Sequence, residues 1–204
     1  MERNLGILEK LEEEFLTEGY LETYKKMIPF PLGSNEEETF PIVLLQNDVQ
    51  ENNIMMKLDN NRELILIDYE YSGWGPIAMD LAAYFNETML DNSYTVGRGG
   101  VYLDNCMTIQ ELKAMVSAYL ATYFEQFMNP KVRARYDSCS DFIEKELSNM
   151  CAQVFEQARM HNFLTILWSF AMMPVDECSK TDGFLFDFAL ARMQMFHKAV
   201  EIET

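Results

Sequence analysis

The sequence predicts an α+β fold, mostly helical, with one small β-hairpin unit in its first half. Three observations predict it. Apolar residues recur every three or four positions over most of the chain beyond Pro76. Three short apolar runs lie between Pro41 and Asp68, each bounded by polar loops. Across all 204 residues, 49% are apolar and 13% aromatic, enough for one real core.

In order, residues 5–27 read as an amphipathic helix, with Ile7, Leu8, Leu11, Phe15 and Leu16 on one stripe and Glu/Lys opposite. Pro29, Pro31 and Gly33 end it, and 34–39 form an acidic loop. Residues 41–46 read as a buried strand, and 47–53 as a polar loop. Residues 54–58 and 63–68 read as two further strands. Asp59, Asn60 and Asn61 turn the hairpin between them, because these residue types tolerate the left-handed backbone a tight turn needs. Beyond Pro76 the expected helices are 77–90, 108–128, 138–160, 163–173 and 184–200. Thr108 and Glu111 form a capping box that opens the second of these.

Charge narrows the function. With 33 acidic and 16 basic residues, the net charge is −17. A nucleic-acid surface, which needs clustered cations, is not expected. The aromatic content excludes a disordered chain. No stretch reaches the roughly 20 apolar residues of a membrane-crossing helix, and the first residues lack a cleavable apolar run. Cys106, Cys139, Cys151 and Cys178 lie far apart with no CxxC pair, so neither a zinc site nor a redox pair is signalled. The expectation is a cytoplasmic protein with unbridged thiols.

The chemistry concentrates in the strand unit. Asp48 and Asn53 stand five apart on one polar loop, and Asp68 ends the third strand with Glu70 just beyond. Apolar strands do not end in carboxylates by packing alone. An acid, an amide five residues on, and a second acid after a hairpin is the order that phosphoryl transfer uses. The first acid orients an attacking hydroxyl, and the amide and second acid offer hard oxygens to Mg²⁺.

The segments LLQNDVQENNIMM (44–56) and LILIDYEYSGWGPIAMDLAAYFNE (64–87) resemble the catalytic loop and metal-binding segment of the choline/ethanolamine kinase family, in the same order and at the same gap. HNFLTILWS (161–169) and FDFALARMQMF (186–196) resemble its C-terminal helices more weakly. The Asp68-Tyr-Glu-Tyr71 run separates this branch from generic aminoglycoside-type phosphotransferases. The resemblance implies that residues 1–204 form the C-terminal lobe of a protein-kinase-like, aminoglycoside phosphotransferase-like fold. It implies Asp48 as catalytic base and Gln50 and Asn53 at the nucleotide phosphates. Asp68, Asn53 and Glu70 would hold Mg²⁺, and Tyr71, Glu87 and Trp168 would recognise the substrate ammonium. ATP is the implied co-substrate and choline or ethanolamine the acceptor, at the entry to phospholipid synthesis.

Four positions depart from the family pattern. Gln46 replaces a bracing His, Thr165 a Trp, Phe188 a Tyr, and Asn92 an aromatic residue. No G-x-G-x-x-G phosphate loop is present, Gly97–Gly100 is a flexible connection, and Lys25 and Lys26 sit on the expected first helix rather than a strand. An N-terminal ATP-binding β-lobe is therefore expected to be missing, and the surface it would cover to support a homodimer or the absent lobe. A pseudokinase scaffold, or a phosphotransferase for another small molecule, stands as the alternative.

Overall fold

A computed structural model describes residues 42–58, 63–91, 100–126, 140–172 and 184–203. The expected helix at 5–27, the acidic loop, the 59–61 turn, the 97–99 glycines, and Lys25, Lys26, Asn92, Cys139 and Cys178 lie outside the described residues.

The described part is mostly helical, with three small antiparallel sheets of two strands each. Strand β1 (Ile42–Leu45) pairs with β4 (Gly73–Pro76), Leu45 opposite Gly73. Strand β2 (Ile54–Met56) pairs with β3 (Leu64–Leu66), Ile54 opposite Leu66. A short pair, β5 (Leu90–Asp91) and β6 (Gly100–Val101), leads through one 3₁₀ turn to the second helix. The helices are α1 (Ala78–Glu87), α2 (Ile109–Gln126), α3 (Ser140–Met172) and α4 (Phe184–Glu203).

Two expectations need correction. The helices expected at 138–160 and 163–173 are one continuous helix, α3, because no Gly or Pro interrupts 161–163. β4 was not foreseen, since Gly-Trp-Gly-Pro carries the residues that normally end strands. At Gly75 the reason is local: a Cβ there would lie 2.6 Å from Leu45 Cδ1 across the pair.

The core forms where helical stripes meet. Leu112, Val116, Leu120 and Phe124 recur every fourth residue on α2 and are all buried. Ala82 and Phe85 of α1, Val154, Phe155 and Ala158 of α3, and Met195 and Ala199 of α4 join the same cluster. Phe85 meets Phe155 edge to face at 5.7 Å between ring centres. The capping box forms as expected: Thr108 N and Oγ1 donate to Glu111 Oε2 at 2.8 and 2.9 Å, and Glu111 N returns a bond to Thr108 Oγ1. Those bonds hold the Glu111 carboxyl below its ordinary range.

The strand unit is less buried than its composition suggests. Leu45 is buried, but Leu44, Met55, Met56, Leu64 and Trp74 are exposed, Trp74 by 76%. A two-stranded ribbon has two faces, and the helices cover at most one. Cys106 is half-buried and Cys151 buried, both unbridged; burial pushes Cys106 to about 11 and Cys151 upward, so both stay inert thiols. No helix among the described residues is long and apolar enough to cross a membrane.

Candidate functional site

The site grows from the turn after β1. Gln46 is 3% exposed, and it spends its amide on the neighbouring segment. Its Nε2 donates to Ile67 O at 3.0 Å and Asp68 O at 2.9 Å, while Oε1 accepts from Asp48 N at 2.7 Å. Three bonds from one buried side chain therefore tie the Asp48 loop to the Asp68 segment. Gln46 stands where the family pattern has a bracing His. An amide carries two N–H donors and an acceptor on one group, so it braces both segments.

Asp80 completes the brace. Its Oδ2 accepts from Gln46 N and its Oδ1 from Asn47 N, each at 2.9 Å. Asp80 sits in the first turn of α1, where the helix dipole favours an anion. With both backbone donors captured, Asn47 is held at φ 64°, a left-handed conformation that Asn adopts more readily than most residues. Asn47 Nδ2 then donates to Tyr71 O at 3.0 Å, a second link to the same segment.

The turned loop presents Asp48. Gln50 Nε2 and Asn53 Nδ2 both donate to Asp48 Oδ2, at 3.0 and 2.7 Å. Among the described residues, Oδ1 receives no such bond. The carboxylate is thus gripped at one oxygen and open at the other. Burial, opposed by the Gln50 and Asn53 bonds and reinforced by the charges of Glu87 and Asp68, raises the Asp48 pKa above its ordinary value.

Asn53 joins the loop to the Asp68 segment. It closes a one-turn 3₁₀ helix (Glu51–Asn53), and its Nδ2 also donates to Asp48 O at 2.9 Å. Its backbone carbonyl accepts from Ile67 N at 3.0 Å, placing Asn53 beside the residue before Asp68. Asp68 itself is left-handed, at φ 60°. Such conformations cost free energy and gather at functional sites. Asp68 and Glu70 are exposed. Tyr71 lies in their field: the Glu70 charge first, then slight burial and the charges of Asp48 and Asp68, raise its phenol.

The donor chemistry fits Mg²⁺. Asn53 uses its Nδ2 on Asp48, which leaves its Oδ1 as the atom that could face a metal, and the exposed Asp68 and Glu70 could add carboxylate oxygens. No group of three or more His, Cys, Asp or Glu gathers as a metal cage among the described residues. Mg²⁺ does not need one, since it usually takes one or two carboxylates and completes its shell with water and phosphate oxygens.

The proposed substrate residues are spread more widely. Tyr71 is exposed beside the carboxylates. Glu87 ends α1 and has a partner the sequence did not suggest: Arg192 Nη2 donates to Glu87 Oε1 at 2.6 Å. Trp168 is 39% exposed on α3, two helical turns beyond His161 and on the same face. Thr165 Oγ1 donates back to His161 O at 2.8 Å, and Phe188 lies 4.9 Å beneath the Arg192 guanidinium, a cation–π contact.

Gln46, Asp80, Asn86, Asn162 and Arg192 are the residues that sequence reasoning left without a role or, for Gln46, undervalued. Asn86 and Asn162 are wholly buried; Asn162 Nδ2 donates to Asn86 Oδ1, and Asn86 Nδ2 to Ala158 O, each at 2.9 Å. Beside them, burial and then the Arg192 charge depress His161 to about 3, so its ring is neutral. A signal existed for two of them. Asp80 and Arg192 are lone charges in the apolar runs AMDLAAYF and FALARMQMF, and a lone charge on a buried stripe requires a partner.

Comparison with known proteins identifies the family. The choline/ethanolamine kinase family profile matches residues 8–197. Choline kinase alpha of Mus musculus is 29% identical over 163 residues, covering 76% of this chain and 33% of that protein. Ethanolamine kinase 1 of Mus musculus is 29% identical over 173 residues, covering 79% of this chain and 40% of the relative. Ethanolamine kinase 1 of Homo sapiens is 29% identical over 181 residues, covering 86% and 33%. The chain thus spans between about a third and two-fifths of the length of these relatives. With a family match running through both site segments and all four helices, this chain belongs to the choline/ethanolamine kinase family.

Proposed function

We propose that the chain is the substrate- and metal-binding lobe of an amino-alcohol kinase, transferring the γ-phosphoryl group of ATP to the hydroxyl of choline or ethanolamine. The observation that carries the reading is the Asp48 carboxylate, fixed at Oδ2 by Gln50 and Asn53 with Oδ1 open. An acid oriented in this way accepts the proton of an attacking hydroxyl. The hydroxyl oxygen bonds to the γ-phosphorus as the bond to the bridging oxygen breaks, and ADP leaves. The raised pKa of Asp48 makes it a better base than a free carboxylate. Asp68, with Asn53 and Glu70, would hold Mg²⁺, which when bound neutralises phosphate charge. Gln50 steadies Asp48 and, with Asn53, would contact the nucleotide phosphates. Tyr71 and Trp168 offer exposed aromatic faces and Glu87 a carboxylate, the chemistry that receives an ammonium group.

Titration calorimetry of the 204-residue chain with Mg²⁺ and choline, ethanolamine or an aminoglycoside tests the substrate. Saturable binding of choline or ethanolamine, and none of the aminoglycoside, is expected. Preference for the aminoglycoside would assign a different phosphotransferase. No response to any amine or to Mg²⁺ would favour a scaffold that keeps the fold without the chemistry.

A further inference from the structure

Arg192 has no part in the chemistry above, yet it is the one Lys or Arg that is buried among the described residues, at 4% exposure. A guanidinium in a helix interface is costly, and buried ion pairs are often replaced by apolar residues without loss of stability. This one is not even fully satisfied. Nη2 reaches Glu87 Oε1 at 2.6 Å and Nη1 reaches Asn162 Oδ1 at 3.4 Å, but Nε is buried with no acceptor among the described residues. Packing alone gives little reason for such a residue. Its effect on Glu87 gives a better one.

Glu87 is the last residue of α1, at the end where the helix dipole repels an anion. Its side chain is 10% exposed, so water supplies little of what it needs. Arg192 supplies a countercharge from α4 and a directional bond. The guanidinium is fixed in turn. Phe188, one turn earlier on α4, lies under its face, and Asn162 of α3 holds its other end. Asn162 is itself fixed by Asn86, the neighbour of Glu87. The result is a closed ring of contacts through three helices, and the Glu87 carboxylate is the member whose charge reaches Asp48.

We propose that Arg192 is a positioning residue for cation recognition: it fixes the direction of the Glu87 carboxylate, with Asn162 and Asn86 holding the guanidinium in place. The inference rests on the amino-alcohol reading for its consequence, though not for the geometry.

The test uses the 204-residue chain as wild type, Arg192→Lys, Arg192→Met, Glu87→Gln and the double variant Glu87→Gln/Arg192→Met. Choline and ethanolamine affinities are measured by calorimetry, and thermal midpoints alongside. Side-chain coupling constants from NMR report the Glu87 rotamers without ligand. Arg192→Met is expected to weaken amine binding by at least about tenfold and to let Glu87 average over several rotamers. Arg192→Lys, which keeps the charge but loses the planar fork, falls between and serves if the Met variant does not fold. The double variant removes both charges, so it regains thermal stability but not amine affinity. Wild-type affinity in Arg192→Met or Arg192→Lys would overturn the proposal. So would recovery of affinity together with stability in the double variant, since that marks a purely structural pair. If the wild type binds neither amine, the amino-alcohol reading fails by itself. The Glu87 rotamers then decide this inference: one retained rotamer without the Arg192 guanidinium overturns it, and averaging supports it.

Discussion

Replacing Asp48 with asparagine is expected to lower amine-dependent ADP formation by a factor of about 10² to 10⁴, the range spanned by single general acid–base groups. The assay applies to whichever form of the protein turns over, this chain or a longer one with a nucleotide-covering lobe. Asparagine has nearly the same shape. Its carbonyl oxygen can still accept from Gln50 Nε2 and Asn53 Nδ2, so the loop keeps its fold while the proton acceptor is lost. Unchanged turnover would remove Asp48 from the chemistry.

The same variant carries a stability signature with a defined sign. Burial, partly offset by its amide bonds, raises the Asp48 pKa in the folded protein. Below the unfolded pKa both states hold the proton, and nothing is lost. As pH rises from there, the unfolded chain ionises first, and folding loses stability until the folded carboxyl has ionised too. Asparagine does not titrate. Asp48→Asn should therefore unfold at a higher temperature than the wild type at neutral pH. The gap should close on acidification through the window above the ordinary Asp value. A less active but more stable protein is the usual sign of a group selected for function.

Asp80→Ala is expected to cost about 2–4 kcal/mol of stability, since it strands two adjacent backbone donors that now bond to one carboxylate. In a chain of this size that is roughly a 5–15 °C fall in thermal midpoint. Activity should fall further than stability alone accounts for. Gln46 and Asn47 are held by Asp80, and through them Asp48 is aligned with the Asp68 segment. Asp80→Asn keeps one acceptor oxygen and should lose less. Calorimetric melting separates the two effects, and an Asp80→Ala midpoint equal to the wild type would show that the loop is held by something else.

What the sequence disclosed follows from the range of each signal. The helices of the second half were legible because a spacing such as Leu112, Val116, Leu120 and Phe124 is local. So was the Thr108–Glu111 cap, which needs only four residues. The boundary expected near 161 is absent, and polar His161 and Asn162 continue the helix. They form a helix turn whose polar groups face other polar groups. β4 was hidden because its pairing with β1 is set across the loop, not by its own Gly-Trp-Gly-Pro composition. At the site, Asp48, Asn53 and Asp68 stood out by order and gap. Gln46 and Asp80 did not, because their work is done through backbone groups more than 20 residues away. Glu87 was singled out as a carboxylate for a substrate cation, but its Arg192 partner lies 105 positions on, beyond the reach of any local pattern.

The central proposal is that Asp68, with Asn53 and Glu70, would form one divalent-ion site beside the Asp48 carboxylate. Mn²⁺, which substitutes for Mg²⁺ and broadens nearby NMR signals, tests it most directly when titrated alone into the isotope-labelled chain. The account predicts that the signals of Asp48, Asn53, Asp68 and Glu70 broaden together at substoichiometric Mn²⁺, and that Asp68→Asn abolishes the effect. Broadening scattered over the acidic surface, or centred elsewhere and unchanged in Asp68→Asn, would contradict it.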